Sequence, residues 1–81
     1  MTQHDAETAL AEELYKIAPD VALEDIDRGA DLREEFDIDS MDFLRLVTAL
    51  GERFGLPMPE ADYPQMDSFE NLARYLAAKT G

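Results

Sequence analysis

Apolar residues recur along this chain at helical spacing in three separate stretches, and the main elements follow from them. Ala6, Leu10, Leu14 and Ile17 share one face, while Glu7, Glu12, Glu13 and Lys16 fall mostly on others. This predicts a helix from about Asp5 to Ile17, ended by Pro19, because the residue before a proline is pushed out of the α region. Phe43, Val47, Leu50 and Phe54, with Leu46 at the edge, predict a second helix from Ser40 to about Phe54. Ser40 reads as its N-cap, with Asp39 before it and Asp42 in the first turn, and Gly55 and Pro57 supply the stop. Phe69, Leu72, Ala73 and Leu76 predict a last helix starting near Asp67 or Ser68. Asp67 and Glu70 resemble a capping box there, and Lys79 suits the C-terminal end.

The connections differ in character. Pro19 to Asp39 is long and acidic, and Val21, Leu23, Ile26, Leu32, Phe36 and Ile38 are spaced along it as if to pin it to a core. Leu32 and Phe36 lie four apart and fit one turn of helix. Pro57, Pro59 and Pro64 bracket Glu60 to Tyr63, which has room for one helical turn at most. No useful stretch alternates with period two, so no sheet is expected. The expected architecture is all-α: a small antiparallel bundle of three main helices plus one short helix, with a long loop between helices one and two.

The second helix carries more apolar surface than one core contact needs. At 100° per residue, Phe43, Val47, Leu50 and Phe54 span roughly 60° of arc. Met41, Leu44 and Thr48 form another cluster centred about 120° away, with Arg45 and Glu52 beyond it. Two readings stand. Either this stripe packs beneath the long acidic loop, or it is a contact surface for another protein, since apolar residues rimmed by charge often mark one.

Composition narrows the class. The length of 81 residues suits one domain, expected over 1–81, with a modest core. Nineteen acidic against seven basic residues give a formal net charge of −12. Nucleic acid and anionic membrane surfaces would be repelled, so neither is expected as a partner, and proteins with basic patches are. No cysteine is present, which excludes disulfides and cysteine metal sites. Residues 1–11 are polar and acidic, unlike a signal peptide, and no apolar run approaches a membrane span, so a cytoplasmic monomer is expected.

The segment Asp37 to Leu44, D-I-D-S-M-D-F-L, resembles the attachment motif of acyl carrier proteins. In that family a D-S-L triplet opens the second helix and an acidic residue commonly follows; here Asp39-Ser40-Met41-Asp42 stands in that place. The likeness continues through L-V-T-A-L-G-E-R-F, closing on Phe54, and S-F-E-N-L-A-R-Y-L, Ser68 to Leu76. The resemblance implies a 4′-phosphopantetheine arm, taken from coenzyme A by a phosphopantetheinyl transferase and joined covalently to Ser40. It implies a carrier rather than an enzyme, holding acyl groups as thioesters for fatty-acid, lipid or polyketide-type biosynthesis. Its partners would be acyl-loading and acyl-using enzymes with basic patches. They would meet a surface formed by Asp39, Met41, Asp42, Leu44, Arg45, Thr48 and Glu52. With no cysteine in the chain, the arm's thiol would be the only thiol present.

The chain departs from the family pattern in places. Asp37 stands where family members usually have Gly, and aspartate tolerates the left-handed conformation better than most residues. Met41 replaces the common Leu at nearly equal volume. Arg45, Arg53 and Gly51 dilute a helix that is often strongly acidic in fatty-acid carriers, which points to a dedicated pathway.

Other classes fit less well. Lone His4 is expected in a floppy N-terminal tail, with no nucleophile constellation near it. A calcium loop starting at Asp37 would put Met41 fifth, Asp42 sixth and Thr48 twelfth, where an acid, Gly and Glu belong; one starting at Asp25 fails likewise. An aminoacyl or peptidyl carrier, or an interaction module of the same fold without an arm, remains open.

Overall fold

A computed structural model describes residues 1–80. Its elements are α1 (Gln3–Ile17), a 3₁₀ turn (Leu23–Asp25), α2 (Leu32–Glu35), α3 (Ser40–Phe54), a 3₁₀ helix (Glu60–Met66) and α4 (Phe69–Thr80). The three long helices are those that the apolar spacing predicts. The described residues contain no strand, only a single bridge between Asp31 and Ser68, anchored by Leu32 N–H donating to the Asp67 carbonyl at 2.7 Å.

Capping explains where the helices start. α1 begins two residues before the expected Asp5. Thr2 accepts from Asp5 N–H, and the Asp5 carboxylate accepts from Thr2 N–H, so two N-terminal donors are satisfied reciprocally. His4 therefore lies within the first turn of α1, not in the floppy tail expected of it. At α4 the cap is Ser68, whose hydroxyl accepts from Asn71 N–H at 3.0 Å. Asp67 instead accepts from the Asn71 side-chain amide. α3 ends on Gly55 in the left-handed region, φ 63°.

The 3₁₀ helix is longer than the single turn expected at Glu60–Tyr63 and runs through Pro64 to Met66. Proline's fixed φ suits a 3₁₀ helix, and Met66, completely buried, draws the segment onto the core. Tyr75, also buried, donates its hydroxyl to the Asp62 carboxylate at 2.7 Å and ties this helix to α4.

One hydrophobic cluster joins Ala6, Leu10 and Leu14 of α1, Phe43, Leu46, Val47 and Leu50 of α3, and Phe69, Leu72 and Leu76 of α4. Leu46 is completely buried and Phe54 only half-buried, so the buried face of α3 is turned toward Leu46. The long loop is pinned as its apolar residues predict: Leu32, Phe36 and Ile38 are buried, with Val21, Leu23 and Ile26 packed beside them.

Two charged residues serve the fold. Arg53, in the last turn of α3, donates to Glu12 at 2.6 Å and to Glu13 at 2.9 Å, joining α3 to α1. Glu13 is buried, 7% exposed, although the pattern put it on an outer face of α1. Burial pushes its carboxyl upward, but hydrogen bonds from Arg53 and Lys16 and their charges outweigh this and hold it below its ordinary value.

Candidate functional site

Ser40 is placed by the turn before it. Ile38 is anchored in the core, and its N–H donates to the Arg33 carbonyl at 3.0 Å. To turn from α2 into α3 the chain passes Asp37 through the left-handed region, φ 52°, the conformation that aspartate was expected to tolerate there. Past the buried Ile38, Asp39 and Ser40 emerge exposed.

The structure corrects the reading of Ser40 as N-cap. The cap is Asp39, with extended backbone and a carboxylate that accepts from Asp42 N–H at 2.9 Å. Aspartate and serine cap about equally well, so helical spacing alone did not choose between them. Ser40 is the first residue inside the helix. Its exposed hydroxyl makes no hydrogen bond among the described residues.

The second stripe is exposed. Met41 and Leu44 are 62% and 46% exposed, so neither packs beneath the acidic loop. Arg45, Thr48 and Glu52 are exposed as well, and Arg45 Nη1 lies 3.7 Å from Asp42. Taking Ser40 as zero, Leu44, Thr48, Met41, Glu52 and Arg45 fall within about 140° of arc on one side of it. Asp42 lies further round, beyond Arg45, at about 200°. Arg53 lies about 80° past Arg45 and faces α1, so only one of the two arginines belongs to this surface. Gly51 has a packing role: a Cβ there would meet the Leu56 carbonyl oxygen at 3.0 Å.

Beside Ser40 opens a cleft of about 410 Å³, lined by Leu32, Arg33, Phe43, Glu60, Tyr63 and Asp67 among others. Phe43 and Tyr63 meet edge-to-face within it, centroids 5.5 Å apart at 83°. Arg33 lies over the Phe43 ring, 5.6 Å from its centroid. Sequence spacing did not point to this cleft, because its walls come from three elements that only the fold brings together.

A family model for the phosphopantetheine attachment site matches residues 8–76. The chain belongs to this family. A solution structure of a chain assigned as an acyl carrier protein from Anaplasma phagocytophilum has the same fold. The two superpose with a TM-score of 0.83 at 24% identity, over 100% of this chain and 94% of that one. No curated protein matches the sequence. As a member of this family, the domain takes 4′-phosphopantetheine as its cofactor. The residues present fit that group: an exposed serine hydroxyl without an internal partner, at a helix start whose capping is done by its neighbour. No helix among the described residues is long and apolar enough to cross a membrane, and none of their acidic or histidine clusters is placed to hold a metal ion.

Proposed function

We propose that Ser40 bears the phosphopantetheine arm and that this carrier domain shuttles acyl groups as thioesters in fatty-acid, lipid or polyketide-type biosynthesis, within a dedicated pathway. The observation that carries the reading is the exposed, unbonded Ser40 hydroxyl, released from capping by Asp39. Attachment would join Ser40 Oγ to the pantetheine-bearing phosphorus of coenzyme A and break the diphosphate link at that phosphorus. Adenosine 3′,5′-bisphosphate leaves, and the serine proton passes to a base of the transferase. When attached, the arm supplies a thiol that holds an acyl group as a thioester.

The chain's own contribution is position and recognition. Asp39 fixes the start of α3 and thereby the direction of Ser40. Asp39 and Asp42 offer charge to basic residues of the transferase, and Met41, Leu44, Arg45, Thr48 and Glu52 offer a mixed apolar and polar face to enzymes that load and use the arm. Arg45 within that face favours partners that do not require uniform acidity, which supports a dedicated pathway.

Incubation with coenzyme A and a broad-specificity phosphopantetheinyl transferase, followed by intact-mass analysis, tests the reading. One arm per chain is expected, with one titratable thiol and no addition to Ser40→Ala. An unmodified wild type, or equal modification of Ser40→Ala, would refute it. An unmodified wild type would instead favour an interaction module without an arm.

A further inference from the structure

Ser40 follows closely on negative charge. Asp37 and Asp39 lie within three residues before it, and the chain as a whole carries −12. A phosphodiester on Ser40 adds another anion at the same place. Arg45 does not face it, being about 140° around the helix and beside Asp42.

Arg33 is differently placed. It lines the same cleft as Ser40, and its carbonyl holds Ile38 N–H, two residues before Ser40. Its guanidinium lies over the ring of Phe43, three residues after Ser40, and residues three apart on a helix are surface neighbours. Its ion pair with Asp31 is loose, Nε to Oδ1 at 3.9 Å. Among the described residues no hydrogen bond engages its guanidinium, which is half-exposed, so its fork of donors is available.

Resting on the proposal that Ser40 carries the arm, we infer that Arg33 is a positioning residue for the arm's phosphate. Stacked on Phe43, the guanidinium is held at the mouth of the cleft and donates to the phosphodiester oxygens. It offsets the repulsion from Asp37 and Asp39, and it directs the root of the arm toward the cleft walled by Tyr63 and Glu60.

The test uses the chain loaded with phosphopantetheine, in wild-type and Arg33→Gln forms, once intact mass has shown the arm on both. The phosphorus resonance of the wild type is expected to be displaced from that of Arg33→Gln, and to move toward it as salt is raised, because an exposed pair is screened. Loading is expected to lower the melting temperature of Arg33→Gln by about 2–5 °C more than that of the wild type. In the wild type alone, the Arg33 Nε–H resonance should shift on loading while that of Arg74 stays in place, a readout that holds even if the variant folds poorly. Coincident phosphorus resonances in the two proteins, or an unmoved Arg33 signal, would overturn the inference. Failure of Ser40 to accept the arm would show earlier, in the mass, and would refute the attachment proposal instead.

Discussion

Asp37 keeps a left-handed backbone, φ 52°, that costs an ordinary L-residue roughly 1–2 kcal/mol. Replacement with Gly should stabilise the chain by about 0.5–1 kcal/mol, and replacement with Val should destabilise it by about 1–2 kcal/mol. Asp37→Asn separates conformation from charge, since asparagine tolerates the same region without the carboxylate. Urea melts should therefore rank Gly and Asn above Asp and Asp above Val; a stable Val variant would sink the strain argument. This conformation was legible through the family resemblance, because Asp37 stands where members usually have Gly and aspartate tolerates the left-handed region. The capping role of Asp39 was not, since serine and aspartate compete on equal terms and only the backbone path decides.

Tyr75 gives a second test at the same scale. Burial raises its hydroxyl pKa, with the Asp62 hydrogen bond and charge adding to the effect, and together they push it up to about 12 from an ordinary 10.0. A raised folded-state pKa stabilises the fold fully below the unfolded value and loses that contribution as pH climbs through the folded one. Between about pH 10 and 12 the chain should thus lose up to roughly 2–3 kcal/mol through this group. Thermal melts over that range should fall more steeply for the wild type than for Tyr75→Phe. Parallel slopes would deny Tyr75 the role.

Among the elements, α3 carries two opposite demands within three residues. Leu46 is completely buried, whereas Leu44 is 46% exposed. Leu46→Ala should cost about 2–5 kcal/mol through lost burial and an unfilled cavity. Leu44→Asp should change stability by no more than about 0.5 kcal/mol but impair turnover by enzymes that use the loaded arm. A large stability loss with normal turnover would assign Leu44 to the core. The three long helices could be read to within two residues at their starts, because a strong apolar period and a proline or glycine stop act locally. The 3₁₀ helix through Pro64, the burial of Met66 and Tyr75, and the pairing of Arg53 with Glu12 and Glu13 could not. Each depends on a neighbour distant in sequence. Glu13 shows why: by its helical position it belongs outside, and Arg53 arriving from α3 joins Lys16 of its own helix to make its burial tolerable.

At the scale of the whole molecule, charge opposes compactness. Nineteen acids surround a small core, and those from Asp31 to Asp42 follow one another closely through α2 and into the first turn of α3. Added salt or magnesium should raise the melting temperature by screening this repulsion. A melting curve indifferent to both would contradict the picture. An opposing trend is expected in strong acid, where protonation of Glu13 removes its bonds to Arg53 and Lys16. Its lowered pKa means that its contribution stands above the ordinary glutamate range and vanishes as pH falls through the folded value.

The division of labour at the head of α3 has a consequence for signalling. Because Asp39 does the capping, chemistry at the Ser40 oxygen leaves the hydrogen bonds that start the helix intact. If Ser40 takes the arm as proposed, bare and loaded forms would share one helix start, and the shape of the bundle would be expected to stay the same. A partner that must distinguish empty from loaded chains gains little from the fold. It has to sense the appendage itself, or the side chains that turn to meet it.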